Sequence, residues 1–374
     1  MKRVGKGIME MEKKMNVLVT GAAGFIGAAL CGLLVRKGLK VTGIDSVNAY
    51  YDPRLKHARL GNIGFTLPAD GEVVCTTPAT GYDRSEIEYR EIPYGRRLTS
   101  ALNPELVFIR LDLTDRDGLE SLCEREKFDV IVNLAAQAGV RYSIENPYAY
   151  VESNVVGFLN LLECARRWPV KHFLYASSSS VYGSNAKVPF SEKDRVDDPV
   201  SLYAATKKCD ELMAHVYAGL YHIPLTGLRF FTVYGPWGRP DMAPMLFSDA
   251  IMNGDEIKVF NSGNLSRDFT YIDDIVEGIE KLIDKAPEDP SLARVFNIGC
   301  GRPMNLLEFI TTLEAALGRE ARKKMYPMQP GDVMTTFADT TELRNVTGYA
   351  PKTTLKEGVE RFAEWYLSEN KRTR

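Results

Sequence analysis

Tyr203 and Lys207 form the one Tyr-x-x-x-Lys spacing in the chain. Four residues apart, they would share a helix face and bring a phenol beside an ammonium. A neighbouring cation stabilises phenolate, so Tyr203 could take a hydroxyl proton near neutral pH. In a chain with 18 Tyr the spacing alone proves little. Upstream, the apolar run His172–Ala176 leads into Ser177-Ser178-Ser179-Ser180. A serine run by itself is ordinarily a turn or a helix cap. Next to a proton-transferring tyrosine, one of its hydroxyls could hold a substrate oxygen.

A second constellation suits phosphate. Gly21-Ala-Ala-Gly24-Phe25-Ile26-Gly27 follows a short apolar run and opens a helical one. Glycines allow a tight turn and close approach of backbone to a pyrophosphate, whose charge then meets the free amides of a helix N-terminus. Asp45 closes the next apolar run, Val41–Ile44, where a carboxylate would accept from the adenosine ribose hydroxyls. A carboxylate there repels a 2′-phosphate, which favours NAD over NADP. A glycine-rich turn serving only helix–strand packing is the other reading.

These residues need a frame. Asn16–Val19, Val41–Ile44, Val107–Leu111, Val130–Leu134, His172–Ala176 and Thr226–Phe231 read as buried strands. Helical stretches such as Phe25–Val35 and Ala149–Arg167 alternate with them. The alternation predicts an α/β protein with a doubly wound, parallel, Rossmann-type sheet. Residues 15–235 are expected to form this dinucleotide-binding unit. Residues 236–374, with helices at Leu306–Leu317 and Leu355–Tyr366, are expected to form a smaller C-terminal α/β substrate-binding domain. Residues 1–14 show no periodicity and read as a disordered leader. Gly61–Pro104, rich in Gly, Pro, Thr and Tyr, is a long insertion where a short connection belongs, and no role can be assigned to it.

Composition narrows the class. Lys plus Arg number 47 and Asp plus Glu 49, for a net charge of −2, without the basic excess of a nucleic-acid binder. The uncharged run Met15–Val35 raises a membrane anchor, but four glycines, Asn16 and Thr20 within it favour a soluble strand–turn–helix. Six scattered Cys without a C-x-x-C pair fit a reducing cytoplasm, and four His without H-x-x-x-H spacing give no metal site.

The segments VTGAAGFIG, NLAAQAGVRYSIENP, YASSSSVYG, SLYAATKK, GLRFFTVYGPWGRPDMA and RDFTYIDDIVEG resemble, in content and order, the nucleotide-sugar epimerase branch of the extended short-chain dehydrogenase/reductase family. The leader and the Gly61–Pro104 stretch depart from the pattern. The resemblance implies that Tyr203 is the general base, that Lys207 holds the nicotinamide ribose and tunes the tyrosine, and that Ser178 is the catalytic serine. It also implies that Gly21, Gly24, Phe25, Ile26, Gly27, Asp45, Asp112, Leu113, Ala135, Ala136 and Asn154 line a tightly held NAD, regenerated each cycle. Arg267 would contact a UDP diphosphate and Asp332 the uridine ribose. A surface pair of Arg267 with Asp268, and a turn role for Asp332, are the structural alternatives.

The implied activity is inversion at carbon 4 of a UDP-sugar, with UDP-glucuronate and UDP-galacturonate as the expected pair. Ser179 and Ser180 stand where dehydratases and decarboxylases of this family are expected to carry an acid. A 4-keto uronate is a β-keto acid and loses carbon dioxide unless its carboxylate is held out of alignment. Arg239 is the candidate grip, because guanidinium forks onto carboxylate, with Thr232 and Ser179 as added donors and Arg141 as a second cation. Arg239 could instead pair with Asp241, and Arg141 could be structural. A neutral UDP-sugar such as UDP-N-acetylglucosamine, decarboxylation, and an NAD-bound scaffold are the other functional readings. A homodimer is expected through Tyr148–Arg166 and Tyr203–Leu220, although Tyr150, Phe158, Leu161 and Leu162 could equally be core.

Overall fold

The computed structural model describes residues 14–81, 85–328 and 334–372. Seven parallel strands form the main sheet: β1 (Asn16–Thr20), β2 (Lys40–Asp45), β3 (Leu106–Arg110), β4 (Val130–Asn133), β5 (His172–Ser178), β6 (Leu225–Phe230) and β7 (Arg294–Ile298). Their spatial order is β3-β2-β1-β4-β5-β6-β7, with the antiparallel strand Arg97–Thr99 on the outer edge of β3. All six segments expected as strands lie in this sheet. They are near-continuous apolar runs because helices cover both faces, and every residue of β1 and β4 is buried. The order reverses direction between β1 and β4, so a crevice opens beyond their carboxyl ends.

β7 was not expected there. The chain leaves β6, builds several short strands and helices, then returns to add Arg294–Ile298 beside β6. A cut at residue 235 therefore does not divide the chain into two continuous units. Phe296 and Ile298 bury one side of β7, while Asn297 on the other side accepts from the Tyr182 hydroxyl at 2.6 Å. One apolar cluster runs from Val17 and Leu30 through Ile275 to Phe309 and Phe362, continuous across the expected boundary. Outside the main sheet, Thr232–Tyr234 pairs in parallel with Phe269–Tyr271, and Glu256–Phe260 with Arg322–Tyr326.

The long connection after β2 is folded. It contains the helix Pro53–Asn62, an antiparallel pair Val73–Thr76 with Ile87–Arg90, and the edge strand Arg97–Thr99. Arg110 of β3 fastens it with a forked pair to Glu91 at 2.5 and 3.0 Å. Of the expected leader, Lys14 pairs with Glu105 at 2.9 Å, and residues 1–13 lie outside the described residues. The stripe Tyr150, Phe158, Leu161 and Leu162 is core, each at most 1% exposed. The Ala149–Arg167 stretch is not one regular helix, since a wide π-turn, Val151–Val156, precedes the helix Gly157–Arg167.

Candidate active site

At the end of β1, Gly21 takes a positive φ of 70°, and a Cβ there would stand 2.8 Å from the Ala135 amide nitrogen. A Cβ on Gly27 would lie 2.0 Å from the Gly21 carbonyl, so the turn closes onto its helix only with glycine at both places. Helix Phe25–Arg36 starts at Gly24 with no side-chain cap on its first amides. Gly24 and Ile26 are the loop residues that remain partly exposed. An uncapped helix N-terminus free of side chains, opening at the switch point of the sheet, fits a pyrophosphate. The chain therefore has a cradle that a dinucleotide can occupy.

Asp45 lies beside this loop, 8% exposed. Its oxygens accept from the Ala23 amide at 3.2 Å and the Val47 amide at 2.8 Å, and Lys56 Nζ approaches to 3.5 Å. The carboxylate thus braces the glycine loop from within. Asp112, after β3, accepts from the Thr114 amide and hydroxyl. Leu113 is buried and takes the Asn160 side chain on its carbonyl. Ala135 donates to the Thr20 hydroxyl at 3.0 Å, and Ala136 is partly exposed. Asn154 is 1% exposed and fully used inside the protein. It accepts from the Gln137 amide at 2.8 Å and donates to the Gln137 carbonyl and the Thr206 hydroxyl. Its side chain joins the strand end after β4 to the helix that carries Tyr203, at a π-turn of the kind common at functional sites.

That helix is Leu202–Tyr221, capped by the Ser201 hydroxyl on the Ala204 amide at 3.1 Å. The cap sets Tyr203 in the first turn, partly exposed, with Lys207 one turn on and 2% exposed. Lys207 Nζ donates to Asp210 Oδ2 at 3.0 Å, while Asp210 Oδ1 is buried without a partner among the described residues. Burial pushes the Asp210 carboxyl up to about 6, against the pull of Lys207. Asp210 is a site residue that the sequence reading missed, although its place three residues after Lys207 is visible in the chain. Ser178 ends β5, 8% exposed, and its hydroxyl bonds the Ser180 amide and hydroxyl at 3.2 Å. Ser179 follows, partly exposed, in a single short turn.

The third wall is the loop after Thr232–Tyr234. Thr232 donates its amide to the Asp268 carbonyl at 3.1 Å and is partly exposed. Arg239 is paired with Asp241 through two nitrogens, Nε at 3.0 Å and Nη2 at 2.5 Å, the structural alternative of the sequence reading. Its Nη1 makes no hydrogen bond among the described residues. Burial works against both charges, yet each holds the other ionised, the Asp241 carboxyl below and the Arg239 guanidinium above its usual range. Tyr50 Oη donates to the same carboxylate at 3.0 Å. From Tyr50 a row of rings runs through Tyr142 and Tyr150 to Tyr203, at centroid spacings of 5.0, 6.3 and 6.1 Å. Burial pushes the Tyr50 and Tyr150 phenols well above the ordinary value, so both stay protonated donors at neutral pH.

Arg267 donates to the Ser266 carbonyl at 2.9 Å. Asp268 is fully buried and accepts from the Cys300, Gly301 and Ala338 amides, so the two do not form the simple surface pair considered above. Arg141 is exposed at the start of the short helix Tyr142–Glu145. Asp332 lies outside the described residues.

Residues 17–299 match the NAD dependent epimerase/dehydratase family. A probable UDP-glucuronate 4-epimerase of Rhizobium meliloti is 45% identical over 94% of this chain and 97% of its own length. UDP-glucuronate 4-epimerase 3 of Arabidopsis thaliana is 42% identical over 96% of this chain and 78% of its own. The crystal structure of UDP-glucuronic acid 4-epimerase from Bacillus cereus, in complex with UDP-glucuronic acid and NAD, is similar with a TM-score of 0.79. It is 31% identical, over 95% of this chain and 100% of that one.

Proposed function

The chain belongs to the NAD-dependent epimerase/dehydratase family, and we propose that it interconverts UDP-glucuronate and UDP-galacturonate by inverting carbon 4 of the sugar. The observation that carries the reading is the convergence of three elements at the carboxyl end of the sheet. They are the uncapped glycine turn, the Ser201-capped helix with Tyr203 above Lys207, and the loop bearing Arg239.

NAD, when bound, accepts a hydride from carbon 4 of the sugar and returns it to the opposite face. Tyr203 takes the proton of the 4-hydroxyl as carbon 4 becomes a ketone, and gives it back when the ketone is reduced. Lys207 stands one helical turn from Tyr203 on the same face, and the buried Asp210 fixes its ammonium against the helix. Ser178 holds the sugar oxygen by hydrogen bond. Between the two half-reactions the keto sugar turns about its diphosphate, which Arg267 anchors, while Asp332, outside the described residues, is assigned to the uridine ribose. Arg239 keeps the C6 carboxylate out of alignment with the ketone, using the Nη1 that Asp241 leaves free. Ser179 and Ser180 place no carboxylate at carbons 5 and 6, which removes the acid that elimination or decarboxylation would use. Residues 236–374 supply most of the UDP-sugar contacts.

Two further features complete the reading. The protein acts in the cytoplasm, in keeping with six unpaired cysteines, and no described helix is long and apolar enough to cross a membrane. It works as a homodimer, through an apolar face on the Leu202–Tyr221 helix and its neighbours.

The test is incubation of purified protein with UDP-glucuronate, without added NAD, and identification of the product by NMR. UDP-galacturonate is expected. Tyr203→Phe should abolish the conversion and leave NAD bound, and turnover surviving that change would place the base elsewhere.

A further inference from the structure

Arg59 is among the largest fully buried side chains of the described residues, 1% exposed, and no carboxylate among them pairs with it. A guanidinium buried without a counter-ion is expensive unless its donors are all used. Here they are, and their acceptors lie on three segments, the glycine turn, the segment after β2 and the loop at Trp237. Nη1 donates to the Ala23 carbonyl of the glycine turn at 3.3 Å and to Tyr51 Oη at 2.5 Å. Nε and Nη2 fork onto the Trp237 carbonyl at 2.9 and 2.8 Å, and Nη2 also reaches the Gly238 carbonyl at 3.2 Å. Trp237 sits at a positive φ of 65°, a conformation that a bulky residue keeps only when its surroundings hold it. Arg239 follows two residues on from this held turn, paired with Asp241 through Nε and Nη2.

A second tie runs parallel to the first, from Tyr50 Oη to Asp241 at 3.0 Å. Both ties spring from the segment between β2 and the end of the Pro53–Asn62 helix. That segment is steadied in turn by the long connection, whose Ala79 and Thr80 amides donate to the Ala49 and Tyr50 carbonyls at 3.2 and 2.8 Å.

We propose that Arg59 is a positioning residue that fastens the substrate loop Gly235–Asp241 to the phosphate-binding turn, so that occupancy of the two sites is linked. This rests on the reading that the turn holds the dinucleotide and the loop the UDP-uronate. Lysine keeps the charge but its donors all sit on one nitrogen, which cannot replace the separate Nε, Nη1 and Nη2 contacts to the glycine turn and the Trp237 loop, so Arg59→Lys removes the bridge selectively.

Three quantities are read on the holoenzyme as purified: KM and kcat for UDP-glucuronate, hydrogen exchange of the 235–242 amides, and NAD retained per chain after dilution and gel filtration. In Arg59→Lys we expect KM to rise about tenfold with a much smaller change in kcat. Loop amides should exchange faster and NAD should be lost sooner. Wild-type KM and loop exchange in Arg59→Lys would overturn the proposal, as would a loosened loop with NAD retention unchanged. Should Arg59→Lys fail to fold, Tyr51→Phe takes the hydroxyl acceptor away from Arg59 Nη1, loosening the bridge itself, and should move loop exchange and KM in the same direction. No movement there overturns the proposal too. A wild-type protein that leaves UDP-glucuronate unchanged would defeat the proposed function alone, and the exchange and retention readouts would still judge the bridge.

Discussion

Arg239 is both the proposed substrate grip and half of an internal ion pair. It could have been either a substrate grip or half of an internal pair, and the structure has the pair already made, with Asp241 taking Nε and Nη2. The pair engages Nε and Nη2 and leaves Nη1, the nitrogen the proposed grip would use, without a hydrogen bond among the described residues. It aims the guanidinium, since Asp241 is itself held by Tyr50. Arg239→Ala strands the buried Asp241 carboxylate, so some loss of stability is expected whatever the substrate. The informative quantity is therefore a ratio. A charged hydrogen bond to substrate is worth about 1.5–3 kcal/mol, so kcat/KM for UDP-glucuronate should fall by roughly one to two orders of magnitude more than for a neutral UDP-sugar. Equal losses on both substrates would show that Arg239 does not touch the carboxylate.

At the scale of elements, His172 illustrates what packing adds. It opens β5 in the middle of the sheet, 1% exposed, with Nε2 2.8 Å from Thr226 Oγ1 of β6 and Nδ1 3.3 Å from the Ile283 carbonyl. Burial pushes the imidazole down to about 4, so it is neutral in the folded protein. Unfolded, it takes a proton near pH 6.5. Its contribution to stability is complete above that pH and fades as pH falls from 6.5 toward 4, by up to about 3 kcal/mol. His172→Gln should flatten this part of the stability curve in urea titrations at several pH values, and an unaltered slope would contradict the assignment. The strands around His172 were legible because helices cover both faces of the sheet, leaving unbroken apolar runs. β7 was not, since Arg294 and Asn297 interrupt its apolar residues and its partner β6 lies far away in sequence. The hairpin of the long connection hid for a related reason: Val73 is 48% exposed, so nothing forces an alternating pattern. Tyr203, Lys207 and the glycine turn stood out as candidates because their spacing is local to one turn of chain. Arg59 and Asp210 did not, because what matters about them is burial and the loops or charges that folding brings to them.

At the scale of the whole molecule, the described residues include an exposed apolar stripe. On the Leu202–Tyr221 helix Leu212, Val216 and Leu220 recur every fourth residue and are 56%, 50% and 65% exposed. Ile144 and Tyr148, at 81% and 78%, add to the apolar exposure of the preceding helical segments. A chain that folded to work alone would have little reason to leave a stripe of this kind in water. A second copy, turned by a two-fold axis, could cover it with the same stripe, giving a bundle of two helical layers from each chain. The stripe lies on the helix that carries Tyr203 and Lys207, so pairing would also stiffen the element that positions the base. Light scattering should accordingly give twice the chain mass for the wild type and a shift toward a single chain for Val216→Glu. Leu102, 75% exposed but remote in the connection before β3, provides the control: Leu102→Glu should leave the mass unchanged. A wild type that stays monomeric at all concentrations would mean that the stripe meets some other surface.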